Sequence, residues 1–476
     1  MTLYSREYDF IYFYINQFKN CDPRVAFMFD YAEILVNIGL LTAGDVAKYA
    51  NANIIPTSTI ALYCNNIFSP SFGASILGND NMSASKVAAV LADANMTASK
   101  AAAILNDANM PILKAATVLN DANMPTSTAV AILSNANIVA NRVQSILYSM
   151  VDQGFYDKLL DIITLNAPNA SYTSYTTLST GVNRYRNLSI ASGVTLALGA
   201  SPGVIIAYSV TNSGTIASNW IKGGGGGAGT GAGPGGGGAG AVIIFARDIT
   251  VGTVTANGAN GQNATSPISS SASGNWGGGG YFYLISRDTV PNGGNGGGPY
   301  YGLGRPNGGG GGGSVRNAYY PGHAGAAGTT TFDDCVSMFR YLFKSICDWW
   351  AVNVLSKTPT STISIPSLGG SGGGGGSADN DYNSSGGGGG GGGQIIICGI
   401  GSVTAGTVQA KGGNGGNGAD EGYWDSGGGG GGGGVIYVLY KSLNGTFTYD
   451  VSGGAGGTGD YNGYAGGTGV FRTMVI

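Results

Sequence analysis

Eight consecutive glycines occupy residues 386–393 and eight more occupy 427–434, with shorter uninterrupted runs at 223–227, 235–238, 277–280, 308–313 and 372–376. A glycine run has no side chain to bury and loses more backbone freedom on ordering than any other sequence, so alone it does not fold. Two outcomes remain open: flexible linkers, or extended threefold segments packed side by side so closely that backbone bonds backbone. The runs recur at matching places, are long, and lack the serine and charge of ordinary linkers, which favours packing. An extended run of this length spans roughly 25 Å. The Gly-X-Y period and proline content of collagen are absent, which excludes a triple helix.

Between the runs an apolar strand recurs, followed by a Gly-Thr step and an alternating tail: VIIAYSVTNSGTIAS (204–218), VIIFARDITVGTVTA (242–256), IIICGIGSVTAGTVQA (395–410) and VIYVLYKSLNGTFTY (435–449). Alternation of this kind is the mark of a half-buried strand. The Gly-Thr steps at 214 and 252 are 38 residues apart and those at 406 and 445 are 39 apart. YFYLISRDTV (281–290) reads as a degraded copy of the same series. These features resemble the glycine-rich distal domains of viral tail fibres and spikes, including the polyglycine-sandwich adhesins of T-even-type phages. The resemblance spans about residues 180–476 and implies host-receptor recognition by loops projecting from a rigid glycine core.

Only six of the 89 glycines fall within residues 1–190, so a different kind of chain precedes this one. From residue 81 it repeats every 14 residues, with Asn81, Asn95, Asn109, Asn123 and Asn137 in register and looser copies from residue 39. Apolar residues such as Met96, Ala101, Ile104 and Leu105 fall at helical spacing, and Pro111 and Pro125 fit a first helical turn. Each unit is a helix of about nine or ten residues plus a turn, too short to stand alone and obliged to stack. The unit NMTASKAAAILNDA resembles the short-helix repeats in the cytosolic superhelical domain of bacterial magnesium transporters, which implies a right-handed superhelix. It implies nothing about magnesium, since acidic residues are few, and the methionine stripe reads as core.

The fold expected is therefore multidomain α and β. A helical segment at 1–38 leads into an α-solenoid at 39–170, and a glycine-rich all-β/polyglycine-II domain follows at 171–476 with one inserted helix at 331–357. That insert carries a broad apolar face, including Cys335, Val336, Phe339, Leu342, Phe343, Ile346, Trp349 and Trp350. It covers its own domain, contacts another subunit or, least favoured, touches a membrane.

Chemistry in such a domain belongs to its non-glycine loops. They are aromatic and acidic: Trp276, Tyr300, Tyr301, Tyr319 and Tyr320, then Asp379, Asp381 and Tyr382, then Asp420, Glu421, Tyr423, Trp424 and Asp425, and finally Asp460, Tyr461 and Tyr464. Aromatic faces stack on sugar rings and carboxylates accept hydroxyl hydrogen bonds, which suits glycan binding. Aromatic capping of a core poor in side chains would leave the same signature. Asp420, Glu421 and Asp425 also admit a glycosidase, but they cluster in one loop and no catalytic residue is assigned. His323 reads as a loop histidine.

Composition removes other classes. About 10% of residues are charged, the net charge is −3, and no basic run exists, which argues against nucleic-acid binding. One histidine and five scattered cysteines form no zinc spacing and no disulfide framework, so neither metal nor cofactor is expected. Arg6, Glu7 and Asp9 interrupt the N-terminal apolar residues, so no signal peptide is read there, and no transmembrane run is present. Asn-x-Ser/Thr sequons make Asn187, Asn263, Asn383 and Asn444 candidate glycosylation sites, alongside Asn81, Asn95 and Asn169.

Together these readings lead to an expectation of a virion surface protein, made in the host cytoplasm and released with the particle, of an archaeal virus living in hot acid. The helical region would dock onto other virion proteins, the chain would form a homo-oligomer, and the loops would bind a host surface glycan or glycoprotein. The alternative is a non-adhesive structural subunit of a capsid, tail or filament.

Overall fold

A computed structural model describes residues 31–52, 55–178, 181–199, 203–218, 221–222, 233, 235–264, 335–361, 386–419 and 426–476. The chain divides into two compact units, Met1–Leu165 with Ile346–Thr362, and Asn166–Ser345 with Ile363–Ile476. Both helices and parallel sheets are present. Among the described residues no helix is long and apolar enough to cross a membrane.

The first unit is a series of short helices: α1 (Ala32–Asn37), α2 (Ala43–Asn51), α3 (Thr57–Asn66), α4 (Pro70–Leu77), α5 (Ala84–Leu91), α6 (Ala98–Asn106), α7 (Ile112–Asn120), α8 (Thr126–Ser134), α9 (Ala140–Asp152) and α10 (Tyr156–Thr164). From α2 onward each packs on the helix two places further along, α2 on α4, α3 on α5, and so to α8 on α10. The methionine stripe is core, with Met82, Met110 and Met124 fully buried and Met96 nearly so. Ser69, Ser83 and Thr97 cap α4, α5 and α6 by accepting from the amides of Phe72, Lys86 and Lys100. Pro111 and Pro125 stand at the cap position itself, one residue ahead of the first turn where the sequence suggests them.

The asparagine register has a structural cause. In each turn an Asp or Asn oxygen accepts from the backbone of the residue two further on, as Asp107 does from Asn109 and Asp121 from Asn123, both at 2.9 Å. The recurring asparagine then reaches 38 residues back, Asn109 to Ser71, Asn123 to Ser85 and Asn137 to Ser99, at 2.9, 2.6 and 2.6 Å.

Cations complete the stacking. Lys100 donates to the Phe68 carbonyl, Lys114 to Asn79 and Met82, Lys158 to Met124, and Lys357 to Asn135 and Ile138. Arg142 reaches three carbonyls, Leu105, Asp107 and Met110. The carbonyls of Phe68, Met82, Met110, Met124 and Ile138 each stand in the turn just before the N-cap of the next helix, while those of Leu105 and Asp107 close the C-terminal end of α6, and none of them has an amide of its own helix as partner there. Arg142→Met keeps the aliphatic stem but strands those acceptors. It should cost about 1–2 kcal/mol, read as a lowered urea midpoint of the full chain; an unchanged midpoint would show that water replaces the guanidinium.

Of the insert expected at 331–357, Cys335–Asn353 is one helix, α11. Its residues through Ser345 group with the second unit, while Ile346–Thr362 group with the first. In the first unit Asp348, fully buried, accepts from Gln144 Nε2 and the Tyr148 hydroxyl, each at 2.7 Å. In the second, Phe339 and Phe343 pack on Phe245, with centroids 5.9 and 4.6 Å away.

The second unit winds back and forth between two parallel sheets. The longer strands β1 (Ala170–Tyr172), β3 (Val182–Ile190), β5 (Gly203–Asn212), β9 (Ala241–Thr250), β11 (Gln394–Thr404), β13 (Val435–Asn444) and β15 (Val470–Val475) form one sheet in that order. The shorter β2 (Thr176–Leu178), β4 (Thr195–Leu198), β6 (Thr215–Ser218), β10 (Thr253–Thr255), β12 (Thr407–Gln409) and β14 (Thr448–Asp450) form the other. β7 (Ile221–Lys222) and β8 (Gly238–Ala239) pair antiparallel. Residues facing inward from both sheets, among them Ile205, Ile244, Ile397, Val438, Ile216, Val254 and Val408, make a single apolar core.

The Gly-Thr step marks the corner between sheets. A Cβ at Gly406 would lie 1.8 Å from the Val251 oxygen, and one at Gly252 would lie 2.7 Å from the Asn212 oxygen, so successive corners stack without room for a side chain. β9 pairs directly with β11, aligning Asp248 with Ser402, 154 residues later in the chain. No copy of the strand motif lies between them in the sheet. The degraded copy proposed at 281–290 lies outside the described residues.

The runs 386–393 and 427–434 are buried along their whole length. Buried amides must find acceptors, and here they do so with a period of three. Gly386, Gly389 and Gly392 donate to Ser426, Gly429 and Gly432 at 2.8–3.0 Å, while Gly387, Gly390 and Gly393 donate to Gln262, Ala259 and Ala256 at 2.8–3.0 Å. The first series runs parallel and the second antiparallel. Gly427, Gly430 and Gly433 repeat the pattern toward Tyr461, Tyr464 and Gly467, and Gly428, Gly431 and Gly434 toward Gly416, Gly413 and Ala410.

Candidate functional site

Asparagines at the same stride of three set the spacing of the glycine segments. Asn257, Asn260 and Asn263 accept from the amides of Lys411, Asn414 and Asn417 at 2.9, 2.8 and 2.8 Å. Asn414 and Asn417 accept in turn from Ala455 and Thr458, both at 2.9 Å. With three residues per turn, every third side chain projects in one direction, so one asparagine column can cross-link successive segments.

These bonds draw several chain ends together. Ala264 donates to Asn417, Gly386 to Ser426, Gly387 to Gln262, Gly418 to Thr458, and Gly427 to Tyr461, at 2.8–3.0 Å. Ser426 and Tyr461 form a parallel bridge. Positions 264, 386, 419 and 426 therefore lie at one end of the glycine region, beside Thr458–Tyr464. Each borders one of the segments 265–334, 362–385 and 420–425.

Those segments hold all of the aromatic and acidic loop residues named from the sequence except Asp460, Tyr461 and Tyr464. Trp276, Tyr300, Tyr301, Tyr319, Tyr320, Asp379, Asp381, Tyr382, Asp420, Glu421, Tyr423, Trp424 and Asp425 lie outside the described residues, as do His323 and Asn383. Of the last aromatic-acidic loop, Asp460 and Tyr464 are exposed and Tyr461 is half-buried. Tyr464 is 55% exposed, and its carbonyl accepts from Gly430, which fixes the backbone.

The candidate glycosylation sites differ in setting. Asn187 is exposed within β3, but its amide donates to Asn169 at 2.8 Å and its oxygen accepts from Ser209 at 2.7 Å. Asn263 is exposed with its oxygen held by the Asn417 amide, and Asn444 is exposed at the end of β13.

Two clusters have no counterpart in the sequence reading. Tyr449 and Phe471 stack with centroids 4.0 Å apart and planes 6° from parallel, covering the open edge at β14 and β15. The alternation Phe447, Tyr449 was the available signal. On the long sheet Arg186 lies over the Tyr208 ring at 4.1 Å and Arg247 at 5.7 Å, while Arg247 pairs with Asp248 at 3.0 Å. Asp248 also accepts from the Ser402 amide and hydroxyl at the β11 bulge, a long-range pairing that no local motif announces. At the adjoining edge, burial works against the Asp450 charge, but the Ser452 amide and Lys411 prevail and hold its carboxyl below the usual range. Among the described residues no three His, Cys, Asp or Glu side chains gather where a metal ion could be held. The chain matches no protein-family model, no curated protein and no solved structure.

Proposed function

We propose that this chain is a virion attachment protein, in which a polyglycine-II lattice presents recognition loops to a host surface glycan and an α-solenoid docks onto the particle. The observation that carries the reading is the gathering of positions 264, 386, 419 and 426 at one end of the glycine segments. Segments far apart in sequence, each carrying aromatic and acidic residues, thereby share one anchoring platform. The three-residue hydrogen-bond period supports polyglycine II, and the packing of each helix on the one two places on supports a solenoid. A backbone lattice is a suitable platform because its rigidity does not depend on the loop residues, which are then free to vary with the receptor. An archaeal host surface and a homo-oligomeric assembly complete the proposal.

Binding of the purified full chain to cells of candidate archaeal hosts, before and after stripping of surface glycans, tests it. Saturable binding that disappears with the glycans is expected. The double variant Tyr423→Ala/Trp424→Ala should weaken binding at least tenfold with an unchanged thermal midpoint. A folded full chain that binds no cell, while the same variant impairs particle assembly, would favour the non-adhesive structural subunit instead.

A further inference from the structure

The row of carbonyl slots in the helical unit is filled at every repeat from Phe68 to Ile138 except one. The carbonyls of residues 68, 82, 110, 124 and 138 each receive a lysine or arginine from at least 32 residues further along. Met96 stands at the missing step. The residue that occupies the place of Lys100, Lys114 and Arg142 in its repeat is Thr128, whose side chain has no amine to offer. A cavity of about 330 Å³ lies there instead, walled by Asp93, Met96 and Thr128 together with Leu91 and Ala131.

The walls of this cavity keep the chemistry of the filled slots. Asp107 lends its charge to the slot of Arg142, and Asp161 followed by Asp121 to that of Lys158. Asp93 holds the place of Asp107 and Asp121 in its own repeat. Its Oδ1 is engaged by Asn95, and among the described residues no cation pairs with it. Nor does any described side chain donate to the Met96 carbonyl. By their place in the repeat, the Met96 carbonyl and the Asp93 carboxylate thus border a space from which the donor of the other repeats is missing. Lys357 shows that such a slot accepts a lysine from outside the helical repeats, since it reaches Ile138 across 219 residues of chain.

We propose that the cavity between Asp93, Met96 and Thr128 binds a primary ammonium group, supplied by a lysine of another protein segment or by a free alkylamine. The group's three N–H donors match the carbonyl and the carboxylate, and its apolar stem would lie along Leu91 and Ala131 in the cavity wall. The site lies wholly on the helical unit and goes beyond the attachment reading.

The test uses the full chain labelled with ¹³C at its methionine methyls, the Met96 signal being assigned through Met96→Leu. Titration with n-butylammonium chloride should shift that signal saturably, at least fivefold more than tetramethylammonium chloride, which carries the charge without a donor. Thr128→Lys should abolish the response, because the slot is then filled from within, and should raise the thermal midpoint. No shift, an equal shift with tetramethylammonium, or a response that survives Thr128→Lys would overturn the proposal. The peptide Leu-Ser-Lys-Thr-Pro, copied from 355–359, distinguishes the sources. Saturation at a tenfold lower concentration than n-butylammonium assigns the site to a lysine on a protein segment, and equal concentrations assign it to free amines.

Discussion

Gly431→Ala should abolish the folded state of the glycine-rich unit, although it adds a single methyl group. The new Cβ would lie 2.0 Å from the Gly390 oxygen and 2.5 Å from its carbon, far inside van der Waals contact. Neither atom can yield cheaply, because the Gly390 carbonyl already accepts from the Gly413 amide at 2.7 Å. The conflict also propagates. Gly390 faces the Gly237 oxygen at 2.0 Å from its own ideal Cβ, and Gly466 faces the Gly431 oxygen at 1.9 Å, so four segments stack through one column of glycines. Spreading the column by the needed ångström would break amide hydrogen bonds on both sides, each leaving a buried donor unmet. The expected cost exceeds about 4 kcal/mol. Gly193→Ala is the control. Gly193 has φ +75° and nothing within 4 Å of its ideal Cβ, so only local strain is added, about 1 kcal/mol. Circular dichroism and thermal unfolding of the two full-length variants should separate them: loss of strand signal for Gly431→Ala, a shift of a few degrees for Gly193→Ala. Equal midpoints would mean that the segments pack more loosely than this geometry.

That contrast also marks what the sequence can reveal. Recurrent asparagines, the methionine stripe and the Gly-Thr steps are visible because each is a side chain, or a glycine, at a fixed offset. Their causes are not visible. Asn109 repeats because it must reach Ser71, and Gly406 repeats because the Val251 oxygen occupies the place of a Cβ. The partners of the glycine runs are illegible for a stronger reason: a backbone amide carries no residue-specific mark, so nothing in Gly389 names Gly429. Only the stride of three at Asn257, Asn260 and Asn263 could have disclosed the period and the pairing with Lys411, Asn414 and Asn417. The direct pairing of β9 with β11 was obscured in the same way, since the intervening stretch supplied a plausible extra copy at 281–290. The broad apolar face of α11 was legible, but a hydrophobic face does not name what it covers. The loop residues chosen for recognition rest on composition, and the structure adds only where the ends of their segments are anchored.

Stability should hold steady from about pH 4.5 to pH 8.5 and fall steeply above pH 9. Burial pushes the Cys64 thiol up to about 12 from an ordinary 9.0, opposed only by the charge of Lys100, and it pushes the Cys398 thiol further still. Burial likewise raises the Tyr148 phenol, reinforced by its hydrogen bond to Asp348, and the Tyr185 phenol, reinforced by its hydrogen bond to Tyr172. In each case the folded chain holds the proton more tightly than the unfolded chain. The resulting stabilisation is complete below the unfolded value, near 9 for the thiols and near 10 for the phenols, and is lost as pH rises through the gap. Each thiol then removes about 1.4 kcal/mol per pH unit above 9. The acid side has little to lose. Asp45 is lowered by its hydrogen bonds to Thr42, and Asp450 by Ser452 and Lys411, so both contribute above their ordinary 3.8 and lose that contribution as pH falls below it. Both are solvent-accessible, which keeps the effect small. Because Cys64 belongs to the helical unit and Cys398 to the strand unit, the two thiols report separately. Cys64→Ala should flatten the alkaline loss of helical signal, and Cys398→Ala that of strand signal. A loss of stability that begins below pH 8, or an alkaline slope unmoved by both substitutions, would place the responsible proton elsewhere. A chain whose rigid parts are joined by backbone amides, which do not titrate in this range, has its pH limits set by the few side chains it buries.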